Sequence, residues 1–416
     1  MNPIGRLMWW IWAVFGWFVW ALSWPVIRML AIGGDESGEN WRERLGIIRG
    51  APRGAVWVHG SSVGEVNALG PFLREIMKRV GRGKILVSAM TATGKRRARA
   101  AYGVPSIALP MDSLPAVRNA MKEIRPRTVV IAETELWPAL IMSASRSARL
   151  AWVNGRISDR SFPRYRLLRP LLRLLFSRFD LLCVISPLDA SRVIALGAPG
   201  SKVHVMGNLK ADLVVPAKPL RGIPRARWFV GGSTRPGEEE AVLEAFRLSR
   251  KRIPGMRVCL APRHLDRVPE VVVLAERAGL RVARRSEGRS RAAGAEVLVL
   301  DTHGELASLY RSAEVAFVGG TLVPIGGHNV LEPAVSGVPV LFGPHTANVR
   351  EESGGLVRCG GGFRVAGSGS MAASLLRLMG SRANGRRAGA RARAFVASRQ
   401  GVARKVAAKL AGAGLI

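Results

Sequence analysis

Ala55–Leu69, AVWVHGSSVGEVNAL, decides how this chain is read. Ala55–His59 is a short apolar run ending in a histidine, as a buried strand requires. Gly60, Ser61, Ser62 and Gly64 supply small turn residues, and from Glu65 to Val80 the apolar positions recur at helical spacing. A strand passing through a small-residue loop into a helix start is where open α/β sheets place their chemistry. Glu65 is the carboxylate that stands there. An acid in a helical first turn also has a plain role, offsetting the positive end of the macrodipole. That position lowers its pKa, whereas a general base works best near neutrality. Burial on domain closure, or the carboxylates of Glu133 and Glu135, would raise it again, so the stretch alone leaves both roles open.

Outward from it the pattern repeats. Strand-like runs fall at Ile85–Ala89, Thr128–Ala132, Leu150–Val153, Leu181–Ile185 and Val203–Met206, with helical patterns such as Leu114–Ile124 between them. Such alternation predicts parallel strands with crossover helices. Val214–Pro224, VVPAKPLRGIP, carries three prolines and reads as an interdomain linker. After it the alternation resumes at Trp228–Val230, Arg257–Leu260, Glu296–Leu300, Val315–Val318 and Pro339–Phe342. A chain of 416 residues exceeds one ordinary core. The expected architecture is therefore α/β, with two doubly wound domains, residues 33–215 and 216–416, facing a cleft that takes ligands at strand C-termini. Ser381–Ile416, with nine Lys/Arg and no acid, is Ala-rich and reads as a basic helix closing the second domain.

Residues 1–32 form a separate segment. Leu7–Ile27 carries no charge, is framed by Arg6 and Arg28, and holds six of the eleven Trp. As a helix it is about 30 Å long, one bilayer core, and its Trp density suits an interfacial belt. The favoured reading is a retained single anchor. A cleaved signal peptide lacks a clean small-x-small site here, and a buried core helix is the bland alternative. Arg160–Arg178 mixes Leu and Phe with clustered Arg, and reads either as an interfacial helix facing lipid headgroups or as an ordinary amphipathic core helix.

Lys+Arg outnumber Asp+Glu by 63 to 29, a net charge of +34. That field favours polyanions: anionic lipid, a phosphorylated substrate or nucleic acid. Charge alone suggests a membrane-tethered nucleic-acid-binding protein, but no nucleic-acid module or aromatic stacking motif accompanies it, and no nucleic-acid partner is expected. Cys183, Cys259 and Cys359 are far apart, without metal spacing, and read as reduced thiols. There is no Asp-x-Asp pair, and the histidines are scattered, so no bound metal is expected. Ser61 and Ser62 beside His59 lack the spacing of a nucleophile elbow.

The polar motifs follow the strands. In GGHNVLEPA, Gly326 and Gly327 allow close backbone approach. Asn329 is placed to cap the next helix, whose free N–H groups attract phosphate, and Glu332 to take ribose hydroxyls. A capping box joining Asn329 and Glu332 is the simpler alternative. GGSTRPGEEE, with Arg235, reads as a second phosphate cradle or as a well-capped helix start. Arg263 follows a strand and a proline, and reads as a phosphate clamp or a plain surface arginine. Glu133 and Glu135 alternate with Thr134, so if extended they point the same way. Such a pair needs a cation, and Lys210 or Arg156 is the candidate.

Together HGSSVGE, AETELWP, NGRIS, GNLKAD, PRH, GGHNVLEPA and GPHTANVRE resemble the 3-deoxy-D-manno-octulosonic acid (Kdo) transferases of lipid A assembly, from the anchor to the last helix. The resemblance implies a B-type glycosyltransferase fold with two Rossmann-like domains. It implies inverting transfer of Kdo from CMP-Kdo to a phosphorylated lipid A precursor of the lipid IVA type, in lipopolysaccharide synthesis. The site is then the cytoplasmic face of the inner membrane, among anionic lipids. By motif, Glu65 matches the general base, and Glu133 and Lys210 match residues that stabilise the transition state. Pro262, Arg263, His303, Gly304, Glu305, Asn329, Val330, Leu331 and Glu332 match segments that hold CMP. No cofactor or metal is implied, since CMP is a monophosphate leaving group whose charge Arg, Lys and N–H groups offset. Three positions depart from the family: Gly60 replaces a bulkier residue, Thr234-Arg235 stands for Thr-His, and His303 for an apolar residue. The rival in the same fold is a glycosyltransferase using a different nucleotide sugar on a lipid acceptor.

Overall fold

A computed structural model describes residues 3–30, 36–212 and 220–416. The linker expected at Val214–Pro224 lies outside the described residues as far as position 219. The chain divides into two units, one of residues up to 212 with Gly401–Ile416, the other of residues 220–400.

In the first unit the apolar runs become β1 (Val56–His59), β2 (Ile85–Ala89), β3 (Ser106–Ala108), β4 (Thr128–Ala132), β5 (Arg149–Gly155), β6 (Leu181–Val184) and β7 (Val203–Val205). They form one parallel sheet in the order β3-β2-β1-β4-β5-β6-β7. Both faces are covered, as parallel strands with near-continuous apolar sequence require. The helix Val63–Val80 lays Val66, Leu69, Phe72 and Ile76 on one face. Trp57, Trp152 and Phe176 fill the other. Strand order reverses between β1 and β4, so the loops after these two strands splay apart and leave a crevice at their C-terminal ends.

The second unit repeats the plan with β8 (Arg227–Thr234), β9 (Met256–Pro262), β10 (Val282–Arg284), β11 (Val297–Val299), β12 (Ala313–Val318), β13 (Val340–Phe342) and β14 (Gly362–Arg364). Its order is β10-β11-β9-β8-β12-β13-β14, again all parallel, with the reversal between β8 and β12. Cys183 and Cys259 are buried in β6 and β9, and burial raises both thiols, Cys183 to about 12.

The basic tail corrects one expectation. Its first helix, Arg382–Ala397, belongs to the second unit, but Val402–Gly412 packs on the first. Val402, Val406 and Leu410 complete the apolar layer over β1, β2 and β4, and Asp212 accepts the Gly401 N–H at 2.6 Å. An amphipathic helix goes where its apolar stripe finds an open core, here a gap in the first sheet's cover.

The N-terminal helix runs from Pro3 to Leu30, and Pro3–Met29 is long and apolar enough to cross a membrane. Trp9, Ala13 and Ile27 are buried, and most of its other large apolar residues are exposed. It is tied to the unit by the Trp12 indole N–H, which donates to Asp112 Oδ2 at 3.0 Å. Asp112 also accepts the N–H groups of Ala139 and Leu140, at the start of the helix Pro138–Ala144. The Arg160–Arg178 stretch splits into two helices. Arg169–Ser177 buries Leu171, Leu172, Leu175 and Phe176, as a core helix does. Phe162–Leu167 buries nothing and leaves Leu167 81% exposed among arginines.

Candidate active site

In the first unit the sequence-predicted residues converge at the β1/β4 reversal. Ser62 caps the helix Val63–Val80, its Oγ accepting the Glu65 N–H at 3.3 Å. The Glu65 carboxylate turns back and accepts the Ser61 N–H at 2.7 Å. The helix-start role is therefore real. Burial nevertheless pushes the carboxyl up to about 7, the Glu133 and Glu135 carboxylates push the same way, and the Ser61 N–H and Lys210 oppose them. A group poised there is half ionised at neutral pH, the condition a general base needs.

Glu133 behaves in the opposite way. Burial works to raise it, but Lys210 and Arg156 outweigh burial and hold the carboxyl below its ordinary range. Lys210 Nζ lies 2.9 Å and Arg156 Nε 3.7 Å from its two oxygens, and Asn154 Nδ2 donates at 3.3 Å. Both cations suggested by the sequence serve. The strand does not continue from Glu133 to Glu135, however: Glu133 has φ 55° and begins a turn. The bend that ends the strand is pinned by the Trp152 indole N–H, which donates to the Glu133 carbonyl at 2.5 Å. Glu135 instead approaches His59, whose Nε2 is buried without a hydrogen-bond partner 3.9 Å from Glu135 Oε2.

Asn154 was not singled out by residue type. It too has a left-handed backbone, φ 53°, and it joins Glu133 to the Lys210 segment, since its Oδ1 accepts the Leu209 N–H at 2.9 Å. Of four non-glycine residues with positive φ among the described residues, Glu133, Asn154 and Ser233 sit at strand C-termini carrying candidate residues. Strained backbone of this kind concentrates at functional sites.

In the second unit the loops after β8 and β9 bring Arg235 and Arg263 together, and the loop after β12 adds His328. Arg235 Nε donates to His328 Nε2 at 3.2 Å, and its Nη1 lies 2.7 Å from His264 Nε2. Burial, then the charges of Arg263 and Arg235, drive His328 down to about 4, so its imidazole is neutral and accepts. Arg263 is exposed beside this pair, its N–H bonded to the Thr234 carbonyl at 3.0 Å. The second cradle is partly corrected. The N–H groups of Arg235, Gly320, Thr321 and Leu322 are all taken by the buried Glu238 carboxylate at 2.7–3.0 Å, so the anion-binding capacity lies in side chains. The Asn329 expectation is also corrected. Val330 occupies the cap of the helix Leu331–Val335, and Asn329 sits one residue earlier, accepting the Leu331 N–H at 3.1 Å and meeting Glu332 at 3.3 Å. The local turn of GGHN places Asn outside the helix, where its side chain mimics a backbone turn. His303 and Gly304 are exposed on the loop after β11, and Glu305 is fixed by Thr302 and Arg285. Among the described residues, no three His, Cys, Asp or Glu side chains are grouped to hold a metal ion.

Residues 39–213 match the family described as 3-deoxy-D-manno-octulosonic-acid transferase (kdotransferase). The 3-deoxy-D-manno-octulosonic acid transferase of Haemophilus influenzae is 32% identical over 339 residues, 78% of this chain and 79% of that protein. The chain belongs to the Kdo transferases. It is a glycosyltransferase that moves Kdo in lipopolysaccharide synthesis. A bifunctional glycosyltransferase/methyltransferase of Fusobacterium nucleatum is 36% identical over 326 residues, and the match spans half of that protein's length. Anabaena HepE, solved with UDP and glucose, shares the B-type glycosyltransferase fold, with TM-score 0.61 at 12% identity over 86% of this chain and 99% of HepE. In this Kdo transferase the first unit carries the paired carboxylates and the second the cationic loops.

Proposed function

We propose that the chain transfers Kdo from CMP-Kdo to a phosphorylated lipid A precursor by a single displacement with inversion. Glu65 takes the proton from the acceptor hydroxyl as its oxygen bonds to the anomeric carbon. The bond from that carbon to the CMP phosphate breaks, and CMP leaves with the electron pair. The observation that carries this reading is the division of two carboxylates by environment: Glu65 near 7 and Glu133 held ionised beside Lys210. One is suited to take a proton, the other to face developing positive charge on the sugar. Arg263 and Arg235 are suited to offset the leaving phosphate, and the reaction needs no metal. The exposed apolar helix supports attachment to a membrane; the inner membrane, with both units on its cytoplasmic face, is the location we propose.

Incubating the chain with CMP-Kdo and a tetra-acylated lipid A precursor, with and without a chelator, and weighing the products tests this. Kdo-bearing lipid in equal amounts under both conditions is expected. Turnover of a UDP-sugar instead would favour the rival donor, and loss of product with the chelator would overturn metal independence. Arg263→Ala is expected to weaken CMP binding by about 10–100-fold, the worth of a charge-assisted contact. Titration calorimetry reads this, and an unchanged titration removes Arg263 from the donor site.

A further inference from the structure

The N-terminal helix borders a feature that the transfer reaction does not use. Arg6, Trp9 and Trp10 of that helix meet Arg146, Arg173 and Arg178 around a groove of about 850 Å³. Arg146 precedes β5 and Arg178 precedes β6, so the groove lies at the N-terminal edge of the sheet. Glu65 and Glu133 lie at the opposite edge, after β1 and β4. No ion pair to a carboxylate is formed by any of the four arginines among the described residues. Four cations drawn together without an acid repel one another, and an anion relieves that cost.

The groove is not purely ionic. Trp9 is buried in its wall and Trp10 is 59% exposed at its rim. On either side of Trp10 the helix presents bare apolar residues, Leu7 before it and Ile11, Val14 and Phe15 after it. A free phosphate would use the arginines and leave this apolar lining wet. A phospholipid uses both: its phosphodiester meets the guanidinium groups, its glycerol region the indoles, and its acyl chains the bare face.

We propose that this groove binds the phosphodiester headgroup of an anionic glycerophospholipid, with the acyl chains lying along the N-terminal helix. The site rests on the membrane attachment proposed above and is separate from the acceptor site.

The test is flotation of the full chain with phosphatidylcholine vesicles, with or without phosphatidylglycerol. Arg173→Ala/Arg178→Ala is expected to lower the partition constant on phosphatidylglycerol vesicles roughly 30-fold, equivalent to about 1 kcal/mol for each arginine near an anionic surface. Arg386→Ala/Arg387→Ala removes the same charge from exposed positions of the second unit and is expected to change it by less than about twofold. Equal losses in the two variants would reduce the groove to diffuse attraction and overturn the site. Inorganic phosphate at constant ionic strength is expected to leave flotation unchanged; displacement by it would make free phosphate the ligand. Kdo transfer to detergent-dispersed acceptor is expected to survive in Arg173→Ala/Arg178→Ala, and its loss would assign the groove to the acceptor instead. Failure of the unaltered chain to float would overturn the membrane attachment itself.

Discussion

Glu65→Gln is expected to lower kcat by about 10²–10⁴-fold while stabilising the fold by roughly 1–3 kcal/mol at mildly alkaline pH. The two effects have one cause. A carboxyl raised from 4.5 to about 7 holds its proton more tightly folded than unfolded. Its ionisation therefore costs the fold nothing below 4.5, progressively more between 4.5 and about 7, and the full penalty above that. Gln keeps an oxygen to accept the Ser61 N–H and sheds the penalty, so the gain in thermal stability should appear above neutrality and vanish in acid. A glutamate kept only to offset the helix dipole predicts the reverse sign, a loss of about 0.3–1 kcal/mol. In the unaltered enzyme kcat/KM should rise with pH through about 7 and level off, because only the ionised base accepts the proton. Thermal melts across pH with initial rates on the same samples separate the cases. A variant that is active, or less stable at alkaline pH, removes Glu65 from the role of base.

What could be read from residues alone follows from how strongly each feature is over-determined. The central strands were visible because a strand buried on both faces must be apolar throughout, as Val129–Ala132 and Val315–Val318 are. Ser106–Ala108, Val282–Arg284 and Gly362–Arg364 escaped notice for the complementary reason. Each is three residues long at a sheet edge, paired on one side, and carries serine, arginine or glycine. The helix Val402–Gly412 shows an apolar stripe in its sequence but not which sheet receives it. At the site, Glu65 and Lys210 stood out through their motifs, whereas Asn154, which opens the NGRIS motif, was given no role of its own. Its signal was the Asn-Gly pair at the end of β5, a position that tolerates left-handed backbone. Alternation of Glu133 with Glu135 misled, because periodicity assumes the strand continues and φ at Glu133 ends it. The causes that raise Glu65, burial and the Glu133 and Glu135 carboxylates, were legible as candidates, but the extent of the shift, to about 7, was not, since it depends on how deeply the group is buried and how close carboxylates about 70 residues away in the chain come to it.

Those carboxylates give the second large effect, a pair of opposite displacements in one pH profile. Glu133→Gln removes a charge that raises Glu65, so the acid limb of kcat/KM should move to lower pH; Lys210→Met removes a charge that lowers it, so the limb should move to higher pH. Both variants should also lose kcat if, as proposed, each removes a group that faces the reacting sugar. Their stabilities should diverge. Lys210→Met leaves the Glu133 carboxylate buried with Arg156 and Asn154 as its remaining partners and should cost about 2–4 kcal/mol near neutral pH, as breaking a buried pair does. Glu133 is held below its ordinary value, so the stability it contributes is present above about 4.5 and lost as pH falls through its folded value. The difference between Lys210→Met and the unaltered chain should therefore shrink in acid. Adding Glu133→Gln to Lys210→Met removes the stranded charge, so the double variant should be more stable than Lys210→Met alone while remaining inactive. Profiles that move in the same direction, or stabilities that add as independent losses, would mean that Glu65, Glu133 and Lys210 do not act as one electrostatic unit. Opposite movement with coupled stability is what three groups sharing the β1/β4 crevice require.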